Sequence, residues 1–94
     1  MYAFSIRAMP GGWKTIDITK TPIPEITKWA VEEYFKSNVP TQYFPLYAQE
    51  QVVAGINYKI WIKIITSSRY QVWEFVVYDH MGEKSITSAK ILSH

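Results

Sequence analysis

The 94-residue sequence contains no cysteine, which excludes disulfide bonds, thiolate nucleophiles and cysteine-based zinc sites. It also lacks any apolar run approaching the roughly 20 residues of a membrane-spanning helix, so we expect no membrane insertion. The chain has ten Lys and Arg residues and eight Asp and Glu residues. This small positive excess argues against nucleic acid as a partner. With only His80 and His94 as imidazole ligands, we expect neither a metal nor another cofactor.

A chain of this length predicts one domain over residues 1–94. Residues 1–15 contain Pro10-Gly11-Gly12 without periodicity, which is typical of a flexible or extended arm, and residues 1–8 are expected to be a flexible extension. The first eight residues have too short an apolar stretch for a secretory signal. The expected location is therefore the cytoplasm, or the outside of the cell after removal of a leader that this sequence does not show.

One helix of about four turns is predicted after Thr21-Pro22-Ile23-Pro24. Pro24 suits a first helical turn, where its missing N–H is not needed. Apolar side chains at i, i+3, i+4 and i+8 form one stripe, which consists of Ile26, Trp29, Ala30 and Tyr34. The helix is expected to end at Ser37-Asn38-Val39-Pro40, because the residue before a proline is disfavoured in the α region.

The sequence after Pro40 predicts strands. Residues 56–64 alternate between apolar and polar side chains, which is typical of a half-buried strand. Further strands are predicted at 43–50, 70–78 and 84–92, with hairpin connections at 66–69 and 79–82. Pro45 indicates an edge or a bulge in the first of these strands. The predicted fold class is α+β, with one N-terminal helix packed across a curved four- to five-stranded antiparallel sheet.

An uncharged segment, Gln51-Val52-Val53-Ala54-Gly55, interrupts this pattern. Without a turn, residues 46–65 would form a strand far longer than the usual five or six residues. Gly55 is the residue there that easily adopts a positive φ. A turn at Gly55 would place two valines at a loop tip, which indicates a contact surface for a partner. Alternatively, Gly55 marks a bulge and the valines are buried in the sheet.

The sequence offers no catalytic arrangement, so we expect no enzyme. Glu32 and Glu33 are adjacent, and neighbours one residue apart on a helix do not face each other. Three tryptophans, Trp29, Trp61 and Trp73, follow helix and strand periodicity and favour core packing over a ligand pocket. Trp61 is expected to face solvent between Lys59 and Lys63, with the lysine stems along its ring.

The segment Gln51-Val52-Val53-Ala54-Gly55 is also an intact copy of the QVVAG signature of the cystatin family. Gly11-Gly12-Trp13 resembles the N-terminal glycine region of cystatins, and residues 26–34 resemble the helix motif of plant cystatins. Residues 76–79 and 86–88 resemble the segments that flank the second binding hairpin. The resemblance covers roughly residues 9–92 and is closest to plant-type cystatins, with stefin-like features that include the lack of cysteine.

This resemblance implies a reversible, tight-binding inhibitor of papain-like cysteine proteases that is monomeric when active. Cystatins block the active-site cleft with an N-terminal arm and two hairpin loops. The implied protease-binding residues are Met9, Pro10, Gly11 and Gly12 in the arm, Gln51, Val52, Val53, Ala54 and Gly55 in the first loop, and Asp79, His80 and Met81 in the second loop, which ends at Gly82.

The second loop departs from the plant pattern, because His80-Met81 stands where plant cystatins usually carry Pro-Trp. This departure keeps open a binding module that retains the cystatin fold without inhibiting. A domain-swapped dimer is a further alternative, since straightening of the turn at Val52–Gly55 would join two strands and permit exchange between subunits.

Overall fold

The computed structural model describes residues 12–67 and 69–93, so the expected extension and the arm residues Met9, Pro10 and Gly11 lie outside the described residues. In chain order the elements are β1 (Trp13–Ile16), α1 (Ile23–Phe35), a 3₁₀ turn (Lys36–Asn38), β2 (Gln42–Val53), β3 (Gly55–Thr66), β4 (Arg69–His80) and β5 (Glu83–Ser93). The five strands follow one another in the order β1-β2-β3-β4-β5, and every neighbouring pair is antiparallel. The predicted α+β architecture is confirmed.

The fifth strand is β1, which overlaps the end of the segment expected to be a flexible or extended arm. Its four residues pair with β2 from Trp13↔Gln51 to Ile16↔Ala48. So short a strand carries no measurable alternation in the sequence, and only its hydrogen-bonded neighbour makes it a strand.

Helix α1 packs its apolar stripe against the sheet. Ile23, Ile26, Ala30 and Val31 are at most 1% exposed. Pro24 lies in the first turn, as predicted. Tyr34 is more exposed than the periodicity suggests, although its ring makes edge contacts with Phe35, Trp73 and Phe75. In the part of the chain that the structure describes, no helix is long and apolar enough to cross a membrane.

Strand β3 supplies the largest share of the sheet's buried face. Its even-numbered residues from Tyr58 to Ile64 are buried beneath α1. Neighbouring β4 places Trp73 opposite Ile62 and Phe75 opposite Ile60, and these side chains belong to the same core cluster. The odd-numbered residues of β3 point to the opposite face of the sheet, which we call the outer face.

The outer face carries aromatic rings and lysines. Trp61 is 37% exposed there, its Nε1 donates to Glu74 Oε2 at 3.0 Å, and its ring lies against Tyr47. The ammonium groups of the two flanking lysines lie over other rings, 4.3 Å from the centroids of Trp13 and Tyr70. Of the other two tryptophans expected to pack in the core, Trp73 is buried and Trp29 is half-buried against the core, whereas Trp61 faces outward as expected.

Strand β2 is irregular where Pro45 lies, as predicted. The register with β3 shifts between Pro45 and Tyr47, so Leu46 is the extra residue of a bulge. Among the described residues, strand β1 pairs with β2 only from Ala48 onward, so Pro45 lies at a part of the strand edge that β1 does not cover.

Thr27 offers a test of the packing between α1 and the sheet. The residue is 2% exposed, and its hydroxyl has no hydrogen-bond partner among the described residues. Replacement of Thr27 by Val removes this buried hydroxyl, and we expect the free energy of unfolding to rise by about 1 kcal/mol. Urea denaturation measures the change. Thr27→Ser is the matched control, since it keeps the hydroxyl, loses a buried methyl group and should destabilise the protein.

Tyr58 makes stability depend on alkaline pH. Burial raises the pKa of its phenol, and the carboxylates of Glu50 and Asp79 raise this pKa further. An unfolded tyrosine ionises near pH 10, so above about pH 10 the unfolded chain binds fewer protons at this site and the folded state loses stability. We subtract the unfolding free energy of Tyr58→Phe from that of the parent. This difference should be constant below about pH 9 and should decrease above about pH 10. A pH-independent difference would contradict this assignment.

Candidate functional site

The register of the sheet aligns one row of residues across all five strands. Trp13 pairs with Gln51, Gln51 with Asn57, Asn57 with Tyr78, and Tyr78 with Ser85. Since strands in a sheet lie about 4.8 Å apart, this row crosses the full width of the sheet. The segments just beyond this row, which include the β2–β3 turn and the β4–β5 turn, therefore lie at one end of the molecule.

Three segments meet at that end. Gly12 directly precedes β1, the first loop (Gln51–Gly55) joins β2 to β3, and the second loop (Asp79–Gly82) joins β4 to β5. The cross-strand pair Ile56↔Asp79 places the bases of the two loops side by side. The structure thus brings together every sequence-predicted site residue that it describes.

The first loop is a tight reversal of the chain. Val53 pairs with Gly55, which leaves Ala54 alone at the tip. Gly55 has a φ of +120°, and a Cβ built on it would lie 2.7 Å from the Tyr78 hydroxyl and 2.9 Å from the Asp79 carbonyl oxygen. The predicted turn is confirmed, and the alternative of a bulge within one continuous strand is wrong. Val52 is 61% exposed, whereas Val53 is half-buried.

Two hydrogen bonds hold the first loop in place. The Asn57 side-chain amide donates to Gln51 Oε1 at 2.7 Å across the base of the hairpin. The Tyr78 hydroxyl, from the neighbouring strand, donates to the carbonyl oxygen of Ala54 at the tip. The loop is thereby bonded both within its own hairpin and to β4.

The second loop is a two-residue turn. Met81 and Gly82 have φ values of +55° and +88°, which is the primed-turn geometry that matches the twist of a hairpin. The Gly82 N–H donates to Asp79 Oδ1 at 3.0 Å, so Asp79 has a structural role in addition to its predicted role in binding. Met81 is 90% exposed, and the His80 ring stacks on that of Tyr78.

The exposed tips are uncharged. Val52, Ala54, Met81 and Gly82 are all exposed and carry no ionisable group. A shallow depression of about 270 Å³ lies beside the second loop and is lined by Tyr78, His80, Glu83, Lys84 and Ser85. The uncharged tips, unlike the depression with its Glu83 and Lys84, can enter an apolar cleft without the cost of desolvating a charge. Within residues 12–67 and 69–93, no group of three or more His, Asp or Glu side chains is placed to hold a metal ion.

Two residues that hold the first loop were not predicted from the sequence. Asn57 and Tyr78 form a cross-strand pair and bond to Gln51 and Ala54 respectively. Their polar contacts depend on the pairing register, and nothing in the sequence alone shows which residues of β3 and β4 lie opposite each other.

One helix across a five-stranded antiparallel sheet, with two hairpin loops at one end, is the architecture of the cystatins. The salivary cystatin of the soft tick Ornithodoros moubata is similar, with a TM-score of 0.68, 23% identity, and coverage of 88% of this chain and 98% of that one. Mialostatin, a gut cystatin of the hard tick Ixodes ricinus, has a TM-score of 0.69, 21% identity, and coverage of 88% and 99%. These likenesses confirm the predicted fold.

Sequence similarity supports the same family. The chain is 32% identical over 65 residues to Cystatin-1 of the snake Crotalus adamanteus, which is 65% of this chain and 47% of that protein. The chain thus spans about half the length of the curated relative it matches. No family model matches the sequence. With the intact QVVAG segment at the first loop, the chain is similar to the cystatins in part of its sequence and in its fold.

The names of these relatives agree with the expectation that the chain is not an enzyme. The expected likeness to plant cystatins in particular is not confirmed, because the relatives compared are from a snake and two ticks.

Two glycines of the site provide a contrast in stability. Gly55→Ala places a methyl group within 2.7–2.9 Å of Tyr78 and the Asp79 carbonyl at a strained positive φ, and we expect a loss of about 2 kcal/mol or more. A Cβ on Gly12 meets nothing within 4 Å, so Gly12→Ala should change stability by less than about 0.5 kcal/mol. Urea denaturation of both variants checks the contrast, and equal losses would contradict the geometry at Gly55.

Proposed function

We propose that this chain is a reversible, tight-binding inhibitor of papain-like cysteine proteases. The binding surface consists of the arm (Met9, Pro10, Gly11 and Gly12), the first loop and the second loop, which together enter the active-site cleft. We refer to these three segments as the wedge. The observation that carries the proposal is that the QVVAG segment forms an exposed apolar hairpin tip at the same end of the sheet as Gly12 and the second loop.

The wedge suits a narrow cleft. Gly12 lacks a side chain, and the space around its Cβ position is open, so the backbone of the arm can approach a partner closely. The two hairpin turns are formed in the free protein, which lowers the conformational entropy lost on binding. A partner therefore gains apolar contact from small side chains at little ordering cost.

The second loop distinguishes this chain from the plant pattern. Met81 offers a 90% exposed, flexible apolar side chain where plant cystatins usually carry Trp. Trp is a common anchor of protein interfaces because of its large rigid surface. We propose that Met81 makes a weaker contact that adapts to the cleft, so that the first loop and the arm supply most of the binding free energy.

Names of relatives agree with this proposal. The curated relative from Crotalus adamanteus and the two tick proteins are all called cystatins. The cystatin resemblance implies inhibition of cysteine proteases. The choice of papain-like proteases as targets and the role of each loop residue belong to the proposal.

A domain-swapped dimer is the second candidate, and the length of the strands favours it. Strands β2 and β3 have 12 residues each and are joined at Ala54. Straightening of this turn would form one long strand, and exchange of the preceding segments between two chains would preserve the core. The first loop no longer exists in such a dimer, so the dimer should not inhibit.

The test is titration of active-site-quantified papain with monomer isolated by size exclusion. We expect stoichiometric inhibition by the parent. Gly12→Glu adds charge and bulk to the arm at a position where a Cβ meets nothing within 4 Å, and Val52→Asp places a charge on the exposed first loop. Each should weaken inhibition at least about tenfold, because a carboxylate in an apolar cleft is costly to desolvate.

Gln42→Glu is the matched control, because it adds the same charge on an exposed residue at the other end of β2. It should inhibit like the parent. Absence of inhibition by verified monomer, well above the enzyme concentration, would reject the inhibitor proposal for this protease and favour the non-inhibitory binding module. Equal weakening by Gln42→Glu would show that the wedge is not the binding surface.

A further inference from the structure

We propose that Tyr78 is a positioning residue that fixes the tip of the first loop from the strand that carries the second loop. This proposal rests on the inhibitory function proposed above. In it, Tyr78 orders the binding surface in the free protein, before a protease binds. Tyr78 is not among the residues implied to touch the protease. Its role follows from its contacts with Ala54, Gly55 and His80.

The first contact is a hydrogen bond to the tip. Ala54 stands between the paired residues Val53 and Gly55, so its carbonyl has no place in the ladder between β2 and β3. The Tyr78 hydroxyl donates to this carbonyl from β4, across β3. A donor from the neighbouring hairpin thus satisfies the backbone acceptor at the point where the chain reverses.

The second contact is the fit of the ring against Gly55. A Cβ on Gly55 would lie 2.7 Å from the Tyr78 hydroxyl oxygen and 2.9 Å from ring carbon Cε1. The ring therefore fills the space that a side chain at this position would need. Gly55 permits two features at once, the positive φ of the turn and the close approach of Tyr78.

The third contact extends to the second loop. Tyr78 and His80 are two residues apart on β4 and so share a face of the sheet, and their rings stack with centroids 6.3 Å apart and planes at 13°. His80, a residue of the second loop, thus lies against the ring that holds the first loop. The contacts form one continuous path from His80 through Tyr78 to Ala54.

These contacts indicate a structural role for His80, which stands at a position where plant cystatins usually carry proline. A proline ring has no aromatic face, whereas the imidazole of His80 supports the Tyr78 ring from the side of the second loop. Two loops that belong to different hairpins can in this way hold a fixed spacing. A fixed spacing matters because both loops must enter the same cleft.

The consequence for binding is kinetic. A hydrogen bond at an exposed loop makes a modest net contribution, so its loss should leave the fold intact and loosen the tip. A looser tip must be ordered in the complex, which weakens binding mainly through faster dissociation. We expect removal of the hydroxyl to raise the dissociation rate about 2- to 10-fold.

The experiment compares Tyr78→Phe with Tyr70→Phe. Both variants lose only a phenolic hydroxyl from the outer face of β4, and Tyr70 lies at the opposite end of that strand. Backbone ¹⁵N order parameters of Val53, Ala54 and Gly55 in the free protein report on the order of the tip. Dissociation from papain is measured on the same samples, and thermal unfolding serves as the check on the fold.

In Tyr78→Phe we expect the order parameters at the tip to fall toward the flexible range, below about 0.6, together with faster dissociation. Tyr70→Phe should match the parent in both measurements, and His80→Ala should give intermediate values. Unchanged order parameters in Tyr78→Phe would overturn the positioning role, as would a looser tip without faster dissociation. If the parent itself does not bind papain, the inhibitor proposal fails, and the order parameters alone then decide whether Tyr78 positions the loop.

Discussion

Burial of alternate residues along β3 is the constraint on which the rest of the structure depends. Ile60, Ile62 and Ile64 are at most 2% exposed beneath α1. Because the side-chain period of a strand is two, a slip of one residue would turn all three to solvent, at a cost of about 1.5–3 kcal/mol each. Strand β3 pairs with β2 on one side and β4 on the other, so the buried isoleucines also set the register of both neighbours.

The functional end of the molecule follows from this register. With Ile60 fixed under the helix, Asn57 must stand between Gln51 and Tyr78, and the turn at Ala54 must lie just beyond. The position of the first loop is therefore set by a core that begins at Tyr58, the residue next to Asn57. The position of the second loop is set in the same way, by the pairing of β4 with β5.

Features with a local cause were predictable from the sequence. The stripe of α1, the alternation of β3, the irregularity at Pro45 and the turn at Gly55 each have a signal within a few residues, and the structure contains them. Features that depend on a partner strand were not predictable. Strand β1 exists only beside β2, and the bond from Tyr78 to Ala54 joins residues 24 apart in the chain. The QVVAG motif indicated a family and a loop, whereas the contacts that order this loop required the three-dimensional register.

The length of the strands separates the two ends of the molecule. Strand β3 has 12 residues, which span about 37 Å, and its last residue, Thr66, lies at the end opposite to both loops. The sequence contains no cysteine, so a cysteine introduced at Thr66 would be the only thiol in the chain. A dye, surface or linker attached there would leave the wedge pointing away from the point of attachment. The same geometry that orders the two loops thus makes the protein suitable for oriented, site-specific immobilisation.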